Sequence, residues 1–385
     1  MTTLCNITMK KVIINDIRYE LNEEEKTASI VRNENRHLSG EIVIPEQIVI
    51  EGQRYSVTSI GKAAFHHSLK VSSILIPNGV KEIGRSAFYG CTSLISTIIP
   101  NSVTKIGVCA FTDCSSLTSI DISKSVKEIS STIFRNCSSL TDVKIPDSVT
   151  KIDFSAFEGC SSLRSINIPN SVKEIARDAF KECISLKSIN IPDSVTEISY
   201  SAFEGCSSFT YIKIPESITK ICYSAFKECS SITSIDIPCS VVEISSSAFS
   251  YCSSLKHINV SPNNLKYDSR DSCNAIIETA NNRLIIGCQN TIIPNSVTEI
   301  ASFAFSDCSS LKSVNIPNSI TKIGISAFEN CSSLTSIDIP DSVTEICVSA
   351  FERCSSLRSI SIPNSVKEIA GGAFKDCSSL KSVNI

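Results

Sequence analysis

Phenylalanine recurs every 23 residues along most of this chain. It stands at Phe65, Phe88, Phe111, Phe134, Phe157, Phe180, Phe203, Phe226 and Phe249, then, after one loss of phase, at Phe305, Phe328, Phe351 and Phe374. A fixed period in the twenties marks a solenoid, in which each unit is one coil stacked on the last. A length of 385 residues would ordinarily suggest about two or three domains. The repeat overrides that expectation.

Within a coil the apolar residues keep fixed offsets. The coil from Phe157 carries Cys160, Leu163, Ile166, Ile168, Val172, Ile175, Ala179 and Phe180. Ile166, Asn167 and Ile168 alternate apolar and polar, which predicts a short strand with one face buried. Pro169 ends it, because proline offers no N–H to a ladder, and Asn170 and Ser171 read as a turn. The looser spacing from Val172 to Cys183 predicts a short helical turn or irregular arc carrying Ile175, Ala179 and Phe180 inward. Inward groups worth roughly 1.5–3 kcal/mol each when fully buried stabilise a coil only if neighbours cover both of its sides. Stacking would set each strand beside its equivalents in one long parallel sheet. Fifteen such strands are expected, ending at Ile44, Ile76, Ile99, Ile122, Ile145, Ile168, Ile191, Ile214, Ile237, Val260, Ile293, Ile316, Ile339, Ile362 and Ile385.

The pattern Leu-x-x-Ile-x-Ile resembles the leucine-rich repeat. The fuller signature, as in "AFEGCSSLRSINIPNSVKEI", resembles the BspA-like branch of that superfamily over roughly residues 40–385. Ala-Phe, Cys, Leu, Ile-x-Ile-Pro and Val-x-x-Ile recur there together and in phase. The resemblance implies an α/β solenoid, a leucine-rich-repeat superhelix with one long parallel β-sheet on its concave side and short helical or irregular arcs on its convex side. It also implies a surface-exposed or secreted protein of a host-associated microbe, implicated in adhesion and protein binding.

The period fails in three places. Residues 1–40 lie outside it, and strands at 17–21 and 27–31 around a polar turn suggest an N-terminal hairpin cap over the solenoid of residues 41–385. The spacing from Ile44 to Ile76 is 32 residues, and a hairpin near 48–57 turning at Glu51 and Gly52 would absorb the excess. The spacing from Val260 to Ile293 is 33, and an insertion near 262–290 accounts for it. There "CNAIIETANNRLIIGC" reads as a hairpin around Ala280, Asn281 and Asn282, since Asn tolerates the positive φ of tight turns. Such a hairpin either packs as a decorated coil or protrudes as a binding element. The chain stops at "SLKSVNI" with no polar terminal unit, which suggests a fragment or an end covered by something else.

Composition narrows the function. Net charge is −3 and the 36 Lys and Arg are spread among 39 Asp and Glu. With no basic stripe, nucleic acid is not an expected partner. No apolar run approaches the length of a membrane span. The start "MTTLCNITMKKVIIND" has no hydrophobic signal region and no lipobox before Cys5, although the resemblance implies export. Of the 19 cysteines, Cys91, Cys114, Cys137, Cys160, Cys183, Cys206, Cys229 and Cys252 are 23 apart, as are Cys308, Cys331, Cys354 and Cys377. One equivalent thiol per coil reads as a small buried hydrophobe. Side-by-side thiols pointing the same way suit neither a disulfide nor a tetrahedral metal. Cys273 and Cys288 flank the inserted hairpin. They face each other if Ala280 and Asn281 form the loop, and are offset if Asn281 and Asn282 do. A disulfide or free thiols are both open to them.

No motif for phosphate, dinucleotide, zinc or an activated serine is present, so neither an enzyme nor a cofactor is expected. The four histidines are His37, His66, His67 and His257; His66 and His67 follow Phe65 where other coils carry polar surface residues. The remaining candidate is the outer face of the Ile-x-Ile strands. The residue between the two Ile reads Asp121, Lys144, Asn167, Asn190, Lys213, Asp236, Asn259, Asn315, Asp338 and Ser361. The residue before the first Ile is mostly Ser, interrupted by Asp142, Tyr211 and His257. A plain polar face needs only solubility to explain it. The interruptions do not, and Tyr is a favoured interface anchor. Asp142, Lys144, Tyr211, Lys213, Asp236, His257 and Asn259 are therefore the expected partner-binding residues. Two function classes follow: a non-enzymatic protein-binding or adhesion module for a host or matrix protein, using this face and the inserted hairpin, or a structural solenoid that self-associates through its C-terminal edge.

Overall fold

A computed structural model describes residues 9–34 and 38–384. Cys5, His37 and Ile385 lie outside the described residues. The chain divides into two compact units, Met1–Ile184 and Ser185–Ile385.

In the first unit, Lys10–Ile14, Ile17–Asn22 and Thr27–Ile30 are antiparallel neighbours. Thr27–Ile30 then runs parallel to Gln53–Ile60, onto which Gln47–Ile50 folds back. That hairpin turns at Glu51 and Gly52, both at positive φ. Two columns of parallel strands follow. One comprises Ser39–Val43, Lys70–Leu75, Ser96–Ile98, Ser119–Asp121 and Asp142–Lys144, each paired with the next. The other consists of two-residue strands. Glu82–Ile83 and Lys105–Ile106 continue the sheet of Gln53–Ile60, and Glu128–Ile129, Lys151–Ile152 and Glu174–Ile175 form the next ladder.

The second unit repeats this plan. Glu197–Ile198, Lys220–Ile221 and Glu243–Ile244 are parallel, as are Ser234–Ile237 and His257–Val260. Tyr267–Asp268, Ala275–Glu278 and Arg283–Gly287 are antiparallel to one another. Arg283–Gly287 then pairs in parallel with Glu299–Ile300, and Lys322–Ile323, Glu345–Ile346 and Glu368–Ile369 continue the ladder. Ser359–Ser361 pairs with Ser382–Asn384.

The fold is thus a β-solenoid of stacked parallel strands, which corrects the α/β expectation. Among the described residues the helical content is one 3-10 turn, Arg270–Ser272. The arcs are not helical, and backbone dihedrals give the reason. In the arc before Cys160, Ser155 has φ 50° and Gly159 has φ 72°. A left-handed residue every fourth position cannot propagate a right-handed helix. The arc is instead a run of turns whose N–H groups alternate in direction. Ser155, Phe157 and Gly159 donate across to the carbonyls of Arg177, Ala179 and Lys181 at 3.1, 2.8 and 2.8 Å. Ala156, Glu158 and Cys160 donate three residues back, to Asp153, Ser155 and Phe157. This coil is therefore stitched to the next through its arc as well as through its Lys151–Ile152 strand.

The one long sheet is corrected too. The two-residue strands form a second column, and the Ile-x-Ile column is divided among separate ladders, with no strand at 189–191 or 314–316. At Asn167, Tyr211 and Asp338 the pairing shrinks to a single bridge. The second column lies within the stretch for which the sequence predicts an arc. It carries opposite charges in register, with Glu82–Lys105 at 3.0 Å, Lys151–Glu174 at 3.2 Å, Lys220–Glu243 at 3.0 Å and Lys322–Glu345 at 3.0 Å. Being exposed, such pairs contribute little energy each, and the last of these ladders also carries Glu345 opposite Glu368, a like-charge pair that disfavours the register slightly.

The core is a stack of identical layers. Phe65, Phe88, Phe111, Phe134, Phe157 and Phe180 stack with ring centroids 5.0–5.8 Å apart. The cysteine column is more than a filler. Cys91, Cys114, Cys137, Cys160 and Cys183 donate their thiols to the carbonyls of Phe65, Phe88, Phe111, Phe134 and Phe157 at 3.1–3.2 Å. Burial pushes the Cys91 thiol up to about 12, which keeps it protonated as a donor requires. Cys273 and Cys288 are free as well. Glu278 pairs with Arg283, so the hairpin loop is the four residues 279–282, longer than either two-residue loop considered from the sequence. Cys288 Sγ reaches the carbonyls of Lys256 and Asn274 at 3.2 and 3.3 Å.

Candidate functional site

Three coils of the second unit bring the expected contact residues together. Tyr211 bridges to Ser234, which pairs with His257. Two residues along, Asp236 pairs with Asn259, and Lys213 occupies the same place in its own coil. Ile212, Ile235 and Ile258 point inward and are buried, so strand alternation turns Tyr211, Lys213, Asp236, His257 and Asn259 outward. All five are exposed. Tyr211 keeps 47% of its surface accessible. Asn259 Nδ2 donates to Asp236 Oδ1 at 3.3 Å. Tyr211 and His257 are two strands apart, about 9.6 Å at the usual spacing, with the small, half-buried Ser234 between them. The arrangement offers a phenol and an imidazole flanking a shallow dip, with an amide, a carboxylate and an ammonium beside it. It suits contact with another polar and aromatic surface.

Asp142 and Lys144 lie in the first unit. They flank the buried Val143 on the strand paired with Ser119–Asp121, and both are exposed. Reading the outer column from Asp121 onward missed its beginning. In the three preceding strands the same position is held by Val43, Leu75 and Ile98, which are paired in register with one another. They remain 59%, 51% and 64% exposed. The signal was present in "EIVIP", "SILIP" and "STIIP", where an apolar residue stands at the outward place.

The hairpin packs rather than protrudes. Ala275, Ile276, Ile277, Leu284, Ile285 and Ile286 are all buried, and exposure is confined to the loop around Asn281. His66 stacks on Tyr89 with centroids 5.0 Å apart, and His67 meets the same ring edge-on at 5.5 Å. Among the described residues no group of three His, Cys, Asp or Glu could hold a metal. No helix among them is long and apolar enough to cross a membrane.

The likeness to known proteins follows the same lines. A solved leucine-rich cell-surface protein from Faecalibacterium prausnitzii A2-165 is 32% identical, over 98% of this chain and 88% of that one, with a TM-score of 0.56. A solved leucine-rich-repeat protein from Bacteroides ovatus ATCC 8483 is 31% identical, over 97% of this chain and 94% of that one, with a TM-score of 0.64. No curated protein matches the chain. The BspA-type leucine-rich-repeat region is matched in six copies over residues 58–187, 173–279 and 285–385. Those residues hold the 23-residue coils with their Phe, Cys and Ile-x-Ile layers, so the chain belongs to the family of BspA-type leucine-rich-repeat proteins, which are generally non-enzymatic.

Proposed function

We propose that the protein is a non-enzymatic binding or adhesion module that docks a protein partner on the outer face of its Ile-x-Ile strands. The observation that carries this reading is Tyr211, half exposed and in one column with His257 where other coils place Ser. A core requirement does not explain either residue, because both point away from the core. An exposed aromatic ringed by Lys213, Asp236 and Asn259 has the composition of an interface anchor with a polar rim. The family, whose members are typical surface or binding modules, supports the class of function. The F. prausnitzii relative is described as a cell-surface protein, which favours an extracellular or host-derived partner.

The test uses the intact chain and a triple variant, Tyr211→Ser, Lys213→Asn and His257→Ser, which makes these strands resemble their neighbours. A partner captured by the intact chain and then purified should lose at least about tenfold in affinity for the variant. Full affinity in the variant would remove this face as the site. Concentration-dependent end-to-end assembly of the chain alone, measured by sedimentation, would instead favour the self-associating solenoid.

A further inference from the structure

The first unit carries a second surface of different chemistry. Val43, Leu75 and Ile98 form an exposed apolar stripe that runs across three paired strands. The column beside it reads Glu41, Ser73, Ser96 and Ser119 in the same register, small side chains apart from the exposed Glu41 at the Val43 end. Beyond Ile98 the stripe continues into Asp121 and then Lys144, with Asp142 on the same strand as Lys144. No described residue forms an ion pair with any of these three charges. Asp121 and Lys144 stand opposite one another in register, which leaves Asp142 at this end and Glu41 at the other as the excess charge flanking an exposed apolar stripe.

The spacing selects the complement. Strands lie about 4.8 Å apart, so the three apolar residues fall at about 0, 4.8 and 9.6 Å along the stripe, and Asp121 at about 14.4 Å. A helix laid along it offers residues i, i+3, i+7 and i+10 on one face at about 0, 4.5, 10.5 and 15 Å. An extended strand offers i, i+2 and i+4 at about 0, 6.6 and 13.2 Å and falls out of step by the third residue. Asp121 and Asp142 outnumber Lys144, so a basic residue is favoured one turn beyond the apolar ones. We propose that this stripe binds an amphipathic helix of another protein, with aliphatic residues at i, i+3 and i+7 and Lys or Arg at i+10. The occupant is assigned to another protein, since among the described residues of this chain the helical content is the 3-10 turn Arg270–Ser272. The stripe shares no residue with the Tyr211 surface, and each stands or falls on its own variants.

Two synthetic peptides of identical composition serve as probes for the full chain in fluorescence anisotropy. One carries Leu at i, i+3 and i+7 and Lys at i+10, and the other carries the same residues in strict alternation. The helical pattern should bind saturably, and at least about tenfold more tightly than the alternating one. Leu75→Asp should abolish that binding, and Ile98→Ser should weaken it by about tenfold or more. Asp121→Lys should shift preference to a peptide with Glu at i+10. Thermal unfolding of each variant checks that the half-exposed positions leave the fold intact. Equal binding of the two peptides, no binding of either, or binding indifferent to both Leu75→Asp and Ile98→Ser would overturn the proposal. Stronger binding of the alternating peptide would assign the region to strand addition at Ser39–Val43 and overturn it equally.

Discussion

In the coil that begins at Phe157, the arc closes on its neighbour through three backbone N–H donors, a phenyl stack and a thiol bond. In the coil that carries the hairpin, that arc is gone. Gly287 N donates to the Ala304 carbonyl at 2.7 Å, the place a phenylalanine N–H takes elsewhere. Cys308 Sγ reaches the Gly287 carbonyl only at 3.7 Å, where a regular coil has a phenylalanine carbonyl at 3.1–3.3 Å. The strand ladder continues through Arg283–Gly287 into Glu299–Ile300. A cleft lined by Phe249, Tyr251, Leu255, Ile286, Phe303 and Asp307 lies where the missing arc would have packed. The comparison teaches that strands alone suffice to carry the stack past a defect, while the arc supplies the bulk of the buried aromatic layer.

The largest effect should therefore come from the arc of a regular coil. Phe157 stacks on Phe134 at 5.5 Å and on Phe180 at 5.3 Å. Phe157→Ala should cost about 3–5 kcal/mol, for lost burial plus an unfilled cavity. Coils in a solenoid couple mainly to their neighbours, so hydrogen exchange should rise in the coils on either side before it rises elsewhere. A uniform rise along the whole chain would contradict that quasi-linear picture.

Gly287 gives the next effect, from the other side of the comparison. A Cβ there would lie 2.1 Å from the Phe305 ring, since Gly287 stands where a regular coil has its own phenylalanine. Gly287→Ala should destabilise by about 1–3 kcal/mol through overpacking. Denaturant unfolding of the double variant with Phe305→Leu should recover part of the loss. Additive costs would mean the ring is not what excludes the methyl.

How much of this was legible in the sequence depends on length and pattern. The strand ending at Ile237 was announced because Ile235, Asp236 and Ile237 are enough to show alternation, while at Asn167 the same pattern yields only a single bridge. The Glu174–Ile175 strand was not announced, because two residues have no period. The left-handed turns were hidden for another reason. The position of Gly159 is held by Asn136 in the previous coil and by Glu182 in the next, all at positive φ, so no single residue type marks it. On the outer face Tyr211 stood out against a column of Ser. The Val43, Leu75 and Ile98 stripe did not, because an outward apolar residue between two inward ones reads as a fully buried run, and only the register showed which way it points.

A smaller effect is expected in the thiol column. Cys160→Ala removes a donor to the Phe134 carbonyl, yet that carbonyl also accepts the Cys137 N–H at 3.0 Å. No acceptor is orphaned, so the cost should be about 1 kcal/mol, chiefly for lost volume. Mass spectrometry of the unreduced protein should find Cys137, Cys160 and Cys183 unpaired. Linkage between neighbouring coils would refute the hydrogen-bonded column.

The smallest effect is a slope rather than a midpoint, and it belongs to the cleft beside the hairpin. Asp307 is 6% exposed. It accepts bonds from Asn330 Nδ2 at 2.9 Å and Ser306 Oγ at 3.0 Å, and from the Tyr251 hydroxyl. Burial nonetheless holds its pKa above the ordinary carboxylate range, because removing the charge from water outweighs those bonds. A folded-state pKa above the unfolded one means the native state favours the proton. That preference is fully expressed below the unfolded value and is lost as pH rises through the folded value. The wild-type protein should therefore lose stability relative to Asp307→Asn as pH rises from the unfolded carboxylate value through the raised folded one. The asparagine keeps an acceptor for Asn330 and carries no charge to desolvate. Urea midpoints of both proteins across that range provide the measurement. Parallel profiles would show that Asp307 ionises as freely in the cleft as in the unfolded chain, and that the defect left by the missing arc is open to water.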